Sequence, residues 1–343
     1  MENELIIGGS GFIGINLAHT LLQKGKEVVI FDNFSRKGTR ENFKWLEKEF
    51  PSIELVEADI RNDIGKLQEA IKRAKNIYHM AAQVAVTTSI KDPKKDFEIN
   101  ALGTLNVLES IRKTQSQALL IFASTNKVYG ELIDEPVIEK EKRYEFEKLT
   151  NGINEQTPLD FHSPYGCSKG CADQYVRDYS RIYGLNTVVM RQSCIYGPRQ
   201  FGIEDQGWIA WFTIATMLKK PLTIYGNGKQ VRDVLNVEDL INVIINASSK
   251  PKKVNGQIYN IGGGIKNSLS LLELLDILEV NIGEKISYNF SKPRLGDQVI
   301  YISDISKVQK ELNWDVKIDF KKGINKLIEW TIQNKEEIKS VLH

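Results

Sequence analysis

Residues 4–14 read E-L-I-I-G-G-S-G-F-I-G. A short apolar run (4–8) breaks at glycine. A helical pattern starts inside the glycines and runs from Phe12 to about Gln23, with Ile13, Leu17, Ala18, Leu21 and Leu22 as its apolar set. Two parsings, Gly8-x-x-Gly11-x-x-Gly14 and Gly9-x-Gly11-x-x-Gly14, both put glycine where the chain turns tightly and a pyrophosphate must approach the backbone. The helix start at Phe12 and Ile13 adds unpaired N–H groups and a positive dipole end. A second strand, V-V-I-F (28–31), closes at Asp32, 18 residues beyond Gly14. A carboxylate there accepts hydrogen bonds from a ribose 2′-hydroxyl and repels a 2′-phosphate, which predicts NAD over NADP. Arg36 and Lys37 stand close by and weigh the other way.

The alternation continues outward. Strands are expected at 53–57, 76–80, 118–123 and 185–191, with helices over Ile64–Ala74, Asp96–Lys113 and from near Pro164. Strands alternating with helices imply an α/β fold, a Rossmann-type doubly wound parallel sheet. After Arg191 the rhythm changes. A helical stretch around Gly207–Leu218, a strand at Gln257–Ile261 and amphipathic helices at Ser270–Leu278, Ile305–Leu312 and Gly323–Gln333 predict a smaller C-terminal α/β substrate lobe. The expected division is 1–191 for cofactor binding and 192–343 for substrate, with about 229–262 returning to the first domain.

Composition narrows the partners. The 343 residues carry 46 basic and 44 acidic side chains, so no basic field argues for nucleic acid. No apolar run reaches spanning length and the N-terminus lacks a signal-peptide pattern, so the expectation is a cytoplasmic protein off the membrane. Three cysteines (Cys167, Cys171, Cys194) argue against a disulfide framework. The histidines His19, His79, His162 and His343 have no metal-ligand spacing, and no metal is expected.

The chemistry is concentrated in S-P-Y-G-C-S-K-G (163–170). Tyr165 and Lys169, four residues apart at a helix start, share one face. An ammonium beside a phenol favours the phenolate and makes a base near neutral pH. Alone, such a pair is equally a surface turn. Beside a nicotinamide cofactor it can take the proton of a carbinol whose hydride is leaving. The fifth strand ends in A-S-T-N-K-V-Y-G (123–130), where Ser124 or Thr125 could hydrogen-bond the substrate oxygen.

The ordered set G-G-S-G-F-I-G, Asp32, A-D-I-R-N (58–62), H-M-A-A-Q (79–83), S-T-N-K-V-Y-G, Y-G-C-S-K and R-Q-S-C-I-Y-G-P-R (191–199) resembles the extended short-chain dehydrogenase/reductase family, in its nucleotide-sugar branch. The resemblance spans nearly the whole chain. It implies a catalytic trio of Thr125, Tyr165 and Lys169. It implies cofactor contacts at Gly8, Gly11, Phe12, Ile13, Gly14, Asp32, Asn33, Arg36, Asp59, Ile60, Ala81, Ala82, Gln83 and Asn100, besides Tyr165 and Lys169. Arg232 and Arg294 match the diphosphate arginines, with Arg199 a weaker third. Substrate contacts are also expected at Asn126, Lys127 and Gln206.

The dehydratases of this family carry an Asp-Glu pair after the catalytic threonine. Here Asn126 and Lys127 stand there, and an amide and an ammonium cannot eliminate water. Strings at 159–170, 199–208 and 226–235 resemble the epimerases that invert C2 of a CDP-activated hexose, with a 4-epimerase as the alternative. A CDP-sugar is the implied substrate and a homo-oligomer, dimer or tetramer, the implied assembly. Cys194 departs from the family, where asparagine is usual. Trp208 and Trp211, at i and i+3, read as a core stripe rather than a base-stacking pair.

Overall fold

A computed structural model describes residues 3–294 and 296–342; the sequence readings that fell on Met1, Glu2 and His343 lie outside it. The chain separates into two compact units. One comprises residues 1–125, 163–191 and 241–259, the other 126–162, 192–240 and 260–343.

The first unit is built on a seven-stranded sheet: β1 (Asn3–Ile7), β2 (Val28–Asp32), β3 (Glu54–Glu57), β4 (Ala74–His79), β5 (Leu119–Thr125), β6 (Thr187–Gln192) and β7 (Gln257–Ile261), in the order β7-β6-β5-β4-β1-β2-β3. β1 pairs in parallel with β2 and β4, β2 with β3, and β4 with β5. Strands such as L-I-I and V-V-I-F carry no polar alternation because helices cover both faces, and every residue of β1 and β2 is buried. Their core includes Leu5, Ile7, Val29, Phe31, Leu67, Val107, Phe122 and Val176. The strand order reverses direction at β1, so the connections leaving β1 and β4 diverge and open a crevice at the strands' carboxyl ends.

The helix Phe12–Gln23 has the limits read from the sequence. The helix expected over Asp96–Lys113 is interrupted. An α-helix (Pro93–Phe97) passes into a π-turn (Glu98–Leu102) and then an α-helix (Gly103–Thr114). Helices at Thr39–Glu49, Val86–Lys91 and Val237–Ser248 were not anticipated.

In the second unit, strand Val231–Asn236 pairs in parallel with Cys194–Tyr196 and Ile300–Tyr301, and antiparallel with Ser268–Ser270. Ser270 opens the next helix with a capping box to Glu273, satisfying two otherwise unpaired backbone donors. The core here gathers Ile209, Phe212, Leu222, Leu274, Leu278, Ile324 and Leu327. Trp208 and Trp211 pack against it, as the spacing predicts for a core stripe.

Candidate active site

The glycine turn joins β1 to the first helix. Gly8 has φ +81°, and a Cβ there would lie 2.5 Å from the Ala81 nitrogen. A Cβ on Gly14 would lie 2.3 Å from the Gly8 carbonyl. These two glycines let backbone meet backbone. Gly11 differs, because a Cβ there meets only the Gly8 carbonyl, at 3.3 Å. Gly11 is also the helix N-cap and, as glycine, offers no capping side chain to the first helical N–H groups. A pyrophosphate fits that end of the helix.

Asp32 ends β2, 8% exposed, and accepts from the Ser10 N–H at 2.9 Å and the Phe34 N–H at 2.8 Å. Burial, the largest influence, holds its pKa above the ordinary value. The carboxylate keeps acceptor capacity for a ribose hydroxyl, and its buried charge disfavours a phosphate in its place. The turn and Asp32 therefore fit a dinucleotide of the NAD type. Asp59 is clamped by Arg61, whose Nη2 lies 2.8 Å from Oδ2, and also accepts from Asn33 at 2.9 Å. The Arg61 hydrogen bonds bring its pKa down to about 2. Arg36 brings its charge to the Tyr165 phenol.

Tyr165 and Lys169 lie in the helix Ser163–Tyr183, both buried. The Tyr165 N–H donates to Ser89 Oγ at 3.1 Å, which ties the start of this helix to Val86–Lys91. Lys169 Nζ donates to the Ala123 carbonyl at 2.6 Å and lies 4.2 Å from the Phe122 ring centre. Burial drives its pKa down to about 7, against the pull of Asp173 and Asp96. Thr125, buried, is the last residue of β5. Ser124, the other hydroxyl read as a substrate contact, points elsewhere: its Oγ donates to Asp173 at 2.7 Å in the protein interior. Side chains alternate along a strand, so Ser124 and Thr125 cannot face the same way.

The π-turn fastens the site from the other side. Asn100 Nδ2 reaches Ser168 Oγ at 3.0 Å and Asp96 Oδ1 at 3.2 Å, and its Oδ1 accepts from the Gln83 N–H at 2.9 Å. Gln83 Nε2 donates to Asp96 at 2.7 Å. Asn100 and Gln83 thus spend their side chains on this network. Sequence reading missed Asp96, Ser168 and Asp173. Asp173 had a signal, since it continues the Tyr165, Lys169 spacing by another four residues.

In the second unit Arg232, 8% exposed, holds Asp297 at 2.6 Å, and Lys127 Nζ donates to the Gly296 carbonyl at 3.1 Å. Burial and the neighbouring Arg232 lower the Lys127 pKa to about 8. Asn126 approaches Gln298 at 3.4 Å. Arg294 stacks on Tyr225, 4.0 Å from the ring centre, and bonds the Glu204 carbonyl at 3.0 Å. Gln206 is half-buried in the turn that pairs with Ile203. Arg199 is buried and paired with Glu337 at 2.7 Å. Cys194 accepts from the Trp208 indole at 3.4 Å, and burial raises its thiol pKa. Among the described residues no cluster of His, Cys, Asp and Glu could hold a metal, and no helix is long and apolar enough to cross a membrane.

The family described as GDP-mannose 4,6 dehydratase matches residues 5–327. The chain belongs to that family. It is an extended short-chain dehydrogenase/reductase, as the motifs implied. The chain is similar to a CDP-paratose 2-epimerase of Salmonella typhi, 47% identical over 95% of this chain and 98% of that one. A UDP-glucose 4-epimerase of Thermotoga maritima, solved with UDP-glucose, superimposes with a TM-score of 0.84 at 28% identity, covering 97% of this chain and 99% of that one. A dTDP-glucose 4,6-dehydratase of Streptomyces venezuelae, solved with NAD and TYD, gives 0.84 at 27% identity, with 99% of each chain covered.

Proposed function

We propose that this enzyme, an NAD-dependent nucleotide-sugar epimerase, inverts C2 of a CDP-activated hexose of the paratose–tyvelose type. The observation that carries this reading is the 47% identity, over nearly both full lengths, with a CDP-paratose 2-epimerase. Asn126 and Lys127 support it, since neither is the carboxylic acid pair that dehydration needs.

Held by the glycine turn and Asp32, NAD would supply hydride-acceptor and hydride-donor chemistry at C2 of the sugar. Tyr165, as phenolate, takes the proton of the C2 hydroxyl and later gives it back, while Thr125 holds the oxygen. Lys169, as ammonium, favours the phenolate and is steadied by the Ala123 carbonyl. The 2-keto sugar must turn without leaving, which requires a firm hold on the diphosphate. We assign that hold to Arg232 and Arg294, whose guanidinium forks match phosphate oxygens. Lys127 and Gln206 are assigned to the sugar and its phosphates. Arg199, committed to Glu337, is assigned to packing of the C-terminal helix. No disulfide joins the three cysteines, consistent with a reducing, cytoplasmic setting. Phe97, Leu102, Tyr175, Ile182 and Tyr183 are exposed apolar groups on the helices around the site, and support pairing with a second copy.

The test is turnover of CDP-paratose in heavy water without added NAD, followed by NMR. Inversion at C2 without deuterium there supports the proposal. Deuterium at C2 means carbon deprotonation and overturns the hydride route. Inversion only at C4 overturns the assignment of position.

A further inference from the structure

Asp173 takes no part in the reaction sequence above, yet it is fully buried and satisfied from three sides. Arg191, itself buried, donates to it twice, Nε to Oδ2 and Nη2 to Oδ1, each at 2.9 Å. Ser124 Oγ donates to Oδ2 at 2.7 Å. Gln174 Nε2 donates to Oδ1 at 2.8 Å. A buried ion pair of this kind is weak as a source of stability, because desolvation offsets most of the attraction. Its position suggests another use. Ala123 and Ser124 are consecutive on β5 and directly precede Thr125. Lys169 and Asp173 are one turn apart on the helix that carries Tyr165. The strand therefore grips the helix at two points: the Ala123 carbonyl holds Lys169 and the Ser124 hydroxyl holds Asp173.

We propose that Asp173, braced by Arg191, is a positioning residue that fixes the end of β5 against the Tyr165 helix and sets a carboxylate one helical turn from Lys169. The inference rests on the Tyr165–Lys169 chemistry proposed above and deepens it. Lys169 is faced by Asp173 from its own helix, by Asp96 from Pro93–Phe97 and by His79 from β4. His79 is neutral, since burial, with a smaller push from Lys169, lowers its pKa to about 3. Tyr165 is faced by Arg36, and Asp173 by Arg191 and Arg177. Of these, Asp173 and Asp96 supply the negative charge that retains the Lys169 proton. Without Asp173 the ammonium is lost at lower pH, and the Tyr165 phenol ionises less readily.

The test uses the full chain saturated with NAD and ring-labelled with carbon-13 at tyrosine, titrated by NMR. Tyr165→Phe identifies the Tyr165 signal. Asp173→Asn alone strands a buried guanidinium, so the decisive variant is Asp173→Asn with Arg191→Met, which removes both charges. Its Tyr165 midpoint should rise by about one pH unit. A folded double variant with the wild-type midpoint would make the pair a purely structural contact and overturn the charge role. Ser124→Ala keeps the ion pair and cuts the strand tie. It should leave the midpoint in place and lower kcat about tenfold at unchanged KM, and full kcat would overturn the bracing role. The titration needs no sugar, so a wrong substrate assignment would leave its result standing.

Discussion

Lys169 Nζ lies 2.6 Å from the carbonyl oxygen of Ala123, two residues before Thr125. One hydrogen bond thus ties the ammonium proposed to tune Tyr165 to the strand that ends in Thr125, the third member of the proposed trio. The side chain has little freedom, being buried over Phe122 as well. A mobile surface lysine could not hold a charge against one phenol in this way.

Tyr165→Phe should abolish epimerisation while leaving the fold and NAD binding intact. General-base catalysis contributes about 10²–10⁴-fold, so kcat should fall by at least about a hundredfold. Rate measurements together with cofactor binding by fluorescence check this.

Lys169→Met should be inactive but more stable, most clearly at low pH. Burial lowers the pKa of Lys169 to about 7. Between that value and the unfolded lysine range the unfolded chain binds the extra proton, so this group's contribution to stability rises with pH across that window. Below it the folded protein carries the full cost of a buried charge. The gain in Tm on replacing it should therefore be largest near pH 6 and shrink as pH rises. A constant gain at all pH values would contradict this.

Acid should weaken the first unit through His79. Its folded pKa is lowered to about 3, so below about 6.5 the unfolded chain takes up a proton that the folded chain refuses. Stability falls as pH drops through that window. His79→Leu should flatten this part of the curve in thermal melts between pH 7 and 4.

Gly14 and Gly11 should separate folding from binding. Gly14→Ala sets a methyl 2.3 Å from the Gly8 carbonyl and should cost both stability and NAD affinity. Gly11→Ala meets only that carbonyl, at 3.3 Å, and should fold with near-normal Tm yet bind NAD at least about tenfold more weakly, since one lost contact of 1.4 kcal/mol is a factor of ten. Melting curves and cofactor titrations decide it.

Arg232→Gln should raise KM for the nucleotide sugar by about ten- to a hundredfold, the scale of a charge-assisted hydrogen bond, with NAD binding unchanged. Arg199→Gln, by contrast, should lower Tm more than it raises KM, because its partner is Glu337.

Much of this was legible in the residues because local signals agreed. The first helix begins and ends at Phe12 and Gln23 as its apolar spacing and Gly25 require, and Gln257–Ile261 is a strand as read. The π-turn was not legible. Apolar spacing cannot register one extra residue inside a helix whose two halves both look regular. Ser124 and Thr125 stood as alternatives because sequence gives two adjacent hydroxyls and not the direction of either. Residues 126–162, read with the first domain, cluster with the second unit. They hold short paired strands at Val137–Glu139 and Tyr144–Phe146 and otherwise little regular structure, so no periodicity marked their place.

The π-turn at Glu98–Leu102 carries a genetic consequence. One added residue turns everything after it by about 100° around the helix axis. Asp96 and Asn100 before or within the turn, and Thr104 after it, all face inward, Thr104 against His79 at 3.0 Å. Loss of a single codon here would restore an ordinary helix and swing Thr104 away. Val107, which follows on the same helix, would leave the core with it, so reading-frame-preserving deletions at this spot should be far less tolerated than substitutions of the same residues.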